Sequence, residues 1–403
     1  MPWKVSELMS EKVKFIGRFL DGERMTDLCK EFGISRKTGY KIVRRFQNEG
    51  SDGLKERSRK PKYNPNRTPG AMIKLIVKMR KNHSTWGPKK IRQRILDQHP
   101  GIRVPVPSTI GLILKDYGLT SKRQRKRRAQ PTPLPLKPSK GPNDIWSIDF
   151  KGQFRLKNKK YCYPLTVSDH FSRYLLCCEA LDSTRSTGVF DTMQAIFQTF
   201  GVPDAMRSDN GSPFASTGLL GLTQFGVWLL RLGIRLERIQ PGHPEQNGRH
   251  ERIHLTLKQD TTRPPGNNFL QQQEMFDHFM RCYNYQRPHE ALQMKTPSTF
   301  YSHSSKQYEP HLPPLDYPLH DKTLRVHGEG TVTISDYRLR IYISQALAEQ
   351  NIGIRQLEEH SWIVNFMNYE LGYIDTKSRL FLPTTAKENL IKSPTNVLPM
   401  SSV

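Results

Sequence analysis

Ile145-Trp146-Ser147-Ile148-Asp149-Phe150 is the stretch whose reading decides the fold of this chain. It has the composition of a strand, and one carboxylate, Asp149, rides in an otherwise apolar run. A charge in such a place costs folding free energy unless something pairs with it. Outward from it, two further acids stand at element ends. Asp209 opens Asp209-Asn210-Gly211, just past a predicted strand at 205–208; loops at such strand ends carry function in open α/β sheets. Glu251 lies in Gly248-Arg249-His250-Glu251-Arg252, at the start of a helix that follows a polar loop. Three converging carboxylates repel one another. Divalent cations relieve that repulsion, and oxygen ligands suit Mg²⁺ or Mn²⁺. Two such ions, roughly 4 Å apart, activate a nucleophile and stabilise the leaving oxygen of an in-line phosphoryl transfer.

The surrounding text predicts strands at 145–154, 161–168 and 173–180, a helix at 186–200 ended by Gly201, and a strand at 205–208. An apolar helix at 219–232, a strand at 234–239 and the Glu251 helix follow. This is an α/β order with a mixed five-stranded sheet, expected over residues 143–305.

Charge separates the rest of the chain. The net charge is +26 over 403 residues, and residues 61–142 alone hold 20 Lys and Arg against the two acids Asp97 and Asp116. An excess this concentrated points to a polyanionic partner, nucleic acid above all. The five cysteines form no C-x-x-C pair, which argues against a zinc finger or a disulfide framework and fits a reducing cytosol. No run reaches the length of a membrane span, and no signal-peptide core opens the sequence. A cytoplasmic, nucleoid-associated protein of bacterial type is expected.

Residues 1–60 read as three helices in a helix-turn-helix module. Gly33 marks the turn and Ser35 caps the next helix, whose apolar side is Ile42, Val43 and Phe46. Arg36, Lys37, Thr38, Tyr40 and Lys41 begin that helix, where such folds meet base edges and phosphates. Residues 61–120 repeat the theme: apolar spacing at Met72, Leu75, Ile76 and Met79, a helix from Trp86-Gly87-Pro88 carrying Lys89 and Lys90, and a third capped at Ser108 and running to Gly118. Residues 121–142 form a basic, proline-rich linker. Six of its residues, Lys122, Arg123, Arg125, Lys126, Arg127 and Arg128, are candidate phosphate contacts. Residues 306–403 read as five short strands of a small β-barrel-like domain with a polar tail after about Lys387.

The central motifs match a known family. Residues 143–305 resemble the catalytic core of retroviral integrases and of bacterial insertion-sequence transposases with an Asp-Asp-Glu triad. The resemblance is carried by Trp146-Ser147-Ile148-Asp149-Phe150, Ser208-Asp209-Asn210-Gly211, Pro244-Glu245-Gln246-Asn247-Gly248-Arg249-His250-Glu251-Arg252, and Tyr283-Asn284 with Arg287-Pro288-His289. It implies an RNase H-like fold, two divalent metals per active site, and DNA cleavage followed by strand joining. It further implies transposon ends and target DNA as partners, and self-association as a dimer or larger on DNA.

The third acid has two candidates. Glu245 follows Asp209 after 35 intervening residues, the spacing often quoted for the family, and Glu251 after 41. Glu251 is the choice, because the family's acid follows the polar-Gly turn, here Asn247-Gly248, and sits on the next helix. A longer helix around 217–232 would absorb the extra residues. Arg252 and Lys258 on the Glu251 helix are candidate phosphate contacts. Asp144, Asp169, Asp182 and Asp204 read as turn or flanking residues. His250-Glu251-Arg252-Ile253-His254 also spells H-E-x-x-H, the zinc-protease pattern, for which the basic charge and the other acid motifs have no use. The expectation is therefore a DDE transposase with Asp149, Asp209 and Glu251 as catalytic metal ligands. The alternatives are a catalytically inactive DNA-binding regulator derived from one, and a metal-dependent nuclease without joining.

Overall fold

A computed structural model describes residues 8–56, 67–120, 138–240, 246 and 248–384. The six basic linker residues, Glu245, Asn247 and the tail after Lys387 lie outside the described residues. By contact the chain divides into two compact units, Met1–Thr68 and Pro69–Val403.

The first unit holds α1 (Leu8–Leu20), α2 (Met25–Glu31) and α3 (Arg36–Glu49). Phe15, Ile16, Leu28, Ile42 and Val43 form its core. Gly33 takes φ +64°, a conformation that favours glycine, and so lets α2 stop and turn into α3. The Ser35 hydroxyl accepts the Thr38 amide at 3.2 Å and caps α3 as the sequence predicts.

The second unit opens with α4 (Gly70–Asn82), α5 (Pro88–Gln98) and α6 (Pro107–Asp116) around Ile76, Trp86, Ile91, Ile95 and Ile110. Ser108 does not cap α6. The cap position is Val106, without a side-chain bond, and Pro107 opens the helix, its fixed φ being preset for a first turn.

The α/β core follows. Its elements are β1 (Ile145–Phe150), β2 (Phe154–Arg155), β3 (Tyr161–Asp169), β4 (Leu175–Leu181), α7 (Ser186–Phe200), β5 (Ala205–Ser208), α8 (Gln224–Arg231), β6 (Arg235–Arg238), α9 (Gly248–Thr261) and α10 (Phe269–Tyr285). The strand expected at 145–154 breaks at 151–153, leaving two-residue β2 to pair with β3 below β1. The sheet is mixed: β1 runs antiparallel to β3 and parallel to β5, and β5 runs parallel to β6. Helices cover both faces. Trp146 and Ile148 pack with Val189, Met193 and Phe197 of α7 and with Phe225 and Leu229 of α8. On the opposite face Cys162, Leu175 and Cys178 pack with Ile253 and Leu257 of α9 and with Phe276 and Phe279 of α10. The alternation along β1 therefore turns Ser147 and Asp149 toward α9 and α10.

The helix expected at 219–232 is shorter. Thr223 accepts the Gly226 amide at 3.0 Å and starts α8, while Leu220 and Gly221 before it have positive φ. Leu219 and Leu220 look helical in sequence because they are apolar. Their role is to pack against the C-terminal core. The extra residues between Asp209 and Glu251 are thus not absorbed by a longer helix here.

The C-terminal region holds β7 (Lys322–Arg325), β8 (Thr331–Ile334), β9 (Leu339–Tyr342), β10 (Asn351–Glu358), β11 (Ser361–Phe366), β12 (Tyr369–Asp375) and β13 (Leu380–Pro383). The outer strands β7 and β13 are additions to the five expected. A five-stranded sheet, in the order β13-β12-β11-β10-β7, and the β8-β9 hairpin share one core, which also takes in Leu222, Val227 and Leu230 beside and within α8.

Candidate active site

The register of β1 fixes the neighbours of Asp149. Across β3 it faces Thr166, and Ser147 faces Ser168. Toward β5 the parallel pairing runs Ile145 with Ala205, Trp146 with Met206 and Ser147 with Arg207. The pairing ends there, and Asp209 follows directly on the last residue of β5, the strand beside that of Asp149. Asp209 opens a tight turn whose motif has a structural reason at each place. Its Oδ1 accepts the Gly211 amide at 3.1 Å. Asn210 ties the turn to the end of β6 by donating to the Ile239 carbonyl at 2.8 Å. A Cβ on Gly211 would stand 3.1 Å from the Asp209 carboxylate, so a larger residue would crowd it.

Helix α9 lies over this polar face. His250, 1% exposed, places Nε2 at 2.7 Å from the Thr166 hydroxyl and Nδ1 at 3.1 Å from that of Ser168. His254 reaches the same Thr166 hydroxyl with Nε2 at 2.8 Å. Thr166 donates its one hydroxyl proton to the Asp149 carbonyl at 3.1 Å. Both imidazoles must then donate to Thr166 through Nε2–H, and in a neutral ring that leaves Nδ1 unprotonated. Burial holds both rings neutral, pushing His250 down to about 4 and His254 well below its ordinary value. The bare Nδ1 of His254 faces Oδ2 of Asp149 at 4.0 Å. Two electron-rich atoms in that position repel unless a cation joins them.

Among the described residues, Asp149, His250 and His254 are the group of potential metal ligands brought together, their donor atoms within 4.8 Å of one another. Asp209 and Glu251 are not in that group. Glu251 sits exposed in the first turn of α9, next to His250. His250 has both nitrogens bonded to hydroxyls, so His254 is the imidazole with a free donor. The sequence placed His254 on the Glu251 side of the helix but gave no sign that Asp149, 105 residues earlier, would stand beside it.

Lys151 was not singled out from sequence. Burial and then the Lys258 charge push its amine below the ordinary value, and Asp149 opposes them, so both lysines lie in the field of this site. Lys258 and Arg252 are exposed on α9. Arg36, Lys37, Thr38, Tyr40 and Lys41 are all exposed over the first turns of α3, the face a helix-turn-helix would present. Lys89 is exposed and pairs with Glu290 at 3.3 Å, whereas Lys90 is turned inward. The remaining acids have structural work. Asp169 accepts from the Ser172 amide and hydroxyl at 2.7 and 2.6 Å and from the Asn143 amide at 2.8 Å. Asp144 accepts the Lys140 amide, Asp182 bonds Ser183, and Asp204 pairs with Lys306.

The chain matches the integrase core domain family over residues 139–244, and a second integrase core domain family over 232–297. A helix-turn-helix domain family matches residues 11–62, and a homeodomain-like family 38–114. It is 29% identical over 199 residues to an uncharacterized 31.7 kDa protein of insertion element IS407 from Burkholderia multivorans, covering 47% of this chain and 66% of that one. It is 26% identical over 242 residues to an uncharacterized 39.2 kDa protein of insertion element IS476 from Xanthomonas euvesicatoria, covering 57% and 64%. The chain thus spans just under two thirds of the length of these relatives. The HTLV-2 integrase catalytic core domain, solved in complex with magnesium, is 16% identical with a TM-score of 0.31, covering 40% of this chain and 99% of that one. No described helix is long and apolar enough to cross a membrane.

Proposed function

We propose that this chain, which carries an integrase core behind helix-turn-helix domains, is a transposase that binds the terminal inverted repeats of a mobile element and carries out DNA cleavage and strand transfer. The observation that most supports the reading is that Asp209 follows directly on β5, the strand paired with that of Asp149, while α9, which begins with the Glu251 turn, brings Nδ1 of His254 to 4.0 Å from the Asp149 carboxylate. Oδ2 of Asp149 and the unprotonated Nδ1 of His254, 4.0 Å apart, are donors that suit a divalent cation, and in this reading Asp209 and Glu251 would add carboxylate oxygens, which suit Mg²⁺ or Mn²⁺. Mg²⁺ or Mn²⁺ held there would acidify an attacking water and neutralise charge developing on the scissile phosphate.

The chain's own groups have separable tasks. Exposed Arg36, Lys37, Thr38, Tyr40 and Lys41 of α3 read the element end and fix its register. The Thr166 hydroxyl holds His254 in one tautomer and anchors the backbone of Asp149, so the carboxylate meets its ligand in a fixed orientation. Lys151 and Lys258 supply positive charge for the DNA backbone near the acids. Water cleaves the phosphodiester at the element end and leaves a 3′-hydroxyl. That hydroxyl then attacks a target phosphodiester in line, one P–O bond forming as another breaks, with no covalent bond to the protein. Two ends must meet for this, so a dimer or larger assembly on DNA is part of the proposal.

The test is incubation of the full chain and Mg²⁺ with duplexes carrying the repeats that flank its coding region. Nicking at the end followed by joined products supports the reading, and nicking without joined products would make it a nuclease. Specific binding with neither product would leave a DNA-binding regulator.

A further inference from the structure

Beneath α9, on the side of His250 away from Asp149, lies a cavity of about 230 Å³. Ser147 and Ser168, two residues along the register from Asp149 and Thr166 and on the same face, line it. Its cationic walls come from four places in the chain: Lys90 of α5, Arg173 from the turn before β4, Arg249 and Arg252 of α9, and Arg287 after α10, with the neutral ring of His289 beside the last. Two acids line it as well, and both are engaged elsewhere: Asp169 by Ser172 and Asn143, Glu290 by Lys89. Asp260 acts on Lys90 and Arg287 from outside the lining, where it accepts from Thr85.

The cations are left short of partners. Among the described residues, no carboxylate comes within 4.0 Å of the charged nitrogens of Lys90, Arg173, Arg252 or Arg287. Arg287 is 8% exposed and its Nη1 donates to the Thr85 hydroxyl at 2.9 Å. Nε of Arg173 and Nε2 of His289 are buried without any hydrogen-bond partner. Burial and then Arg287 push the Lys90 amine down to about 8. Buried unpaired charge is costly, and natural proteins keep it where something compensates it. The space far exceeds the roughly 10–15 Å³ a single water needs. Forked guanidinium donors on several sides match an anion with several oxygens around one centre.

We propose that this cavity is a binding site for a phosphate-class anion, either a phosphate of bound DNA or a free phosphate or polyphosphate. It gives Arg287-Pro288-His289 a task separate from the metal site: the Arg287 guanidinium and the neutral His289 ring both line the cavity. The site stands on its own geometry and does not depend on the chemistry assigned to Asp149.

The test uses the full chain without divalent metal, with pyrophosphate as the probe at constant ionic strength. Calorimetric titration is expected to show one saturable site, weakened at least tenfold in Lys90→Gln and in Arg173→Gln. Unmodified protein supplies a second readout that no folding defect can mimic. Pyrophosphate should slow acylation of Lys90 severalfold and leave neighbouring Lys89 unchanged, as read by mass spectrometry. The two sources separate on adding saturating duplex: loss of pyrophosphate binding assigns the site to a DNA phosphate, and unchanged binding assigns it to a free anion. The proposal is overturned if neither pyrophosphate nor duplex protects Lys90, or if both variants bind pyrophosphate as tightly as the parent chain.

Discussion

Nδ1 of His254 stands 4.0 Å from Oδ2 of Asp149, and the hydrogen bond from Nε2 to Thr166 fixes that nitrogen as a bare acceptor. Replacing His254 by Ala should therefore raise the Mg²⁺ concentration needed for half-maximal cleavage by about tenfold, the scale seen when a group supporting a metal ligand is lost. DNA-end binding should not change. Measuring both against Mg²⁺ concentration checks this; an unchanged metal requirement would make His254 a packing residue.

Thr166 is the pivot of the same arrangement, touching His250, His254 and the Asp149 carbonyl. Thr166→Val keeps its shape and removes the hydroxyl. Two buried imidazole N–H groups then lose their acceptor, at about 1–3 kcal/mol for each unsatisfied group. A fall in the thermal midpoint together with a raised metal requirement is the expected pair of results, since the ring of His254 is freed to turn.

Acid should destabilise the fold through buried neutral histidines. Burial pushes His170 and His289 each from 6.5 down to about 3. Their folded values lie below the unfolded value, so the unfolded chain takes up more protons. Their contribution is fully present above about pH 6.5 and is lost as pH falls toward 3, at roughly 2 kcal/mol per group between pH 6.5 and 5. Chemical denaturation at several pH values measures the slope. A phosphate-class anion in the cavity that both residues line should make it shallower.

Glu237 accepts from Nη2 of Arg207 at 2.8 Å, with side chains 16% and 3% exposed, and so joins β6 to β5 beside the turn of Asp209. Glu237→Ala removes the carboxylate that accepts from both Nε and Nη2 of the buried Arg207 guanidinium and should cost about 1–3 kcal/mol. Glu237→Gln, which keeps an acceptor oxygen, should cost less. Stability of both variants equal to that of the parent chain would mean that the ion pair contributes nothing there.

Much of the core was legible because strand and helix periods are local. The strands at 161–168 and 205–208 and the helix at 186–200 follow from apolar spacing and from Gly201, and Asp149 stands out as the single charge in an apolar run. What sequence could not carry was the pairing of distant positions. His254 meets Asp149 only because α9 crosses β1 and β3, and Arg287 meets Lys90 only because the segment after α10 faces α5. The start of α8 was misread because Leu219, Leu220 and Leu222 have a helix's apolarity but serve a core built from strands more than a hundred residues later. Ser108 has the residue type of a cap, yet Pro107 before it already supplies the first turn.

The central claim is that Asp149, Asp209 and Glu251 together hold the metal for strand transfer. It is tested most directly by joining assays with Asp149→Asn, Asp209→Asn, Glu251→Gln and Glu245→Gln on a cognate end duplex in Mg²⁺. The first three should each lose joining by about a thousandfold or more, because several kcal/mol of transition-state stabilisation goes with the metal. All four should still bind the end, and Glu245→Gln should join like the parent chain. Full joining by Glu251→Gln, with joining lost in Glu245→Gln, would contradict the account.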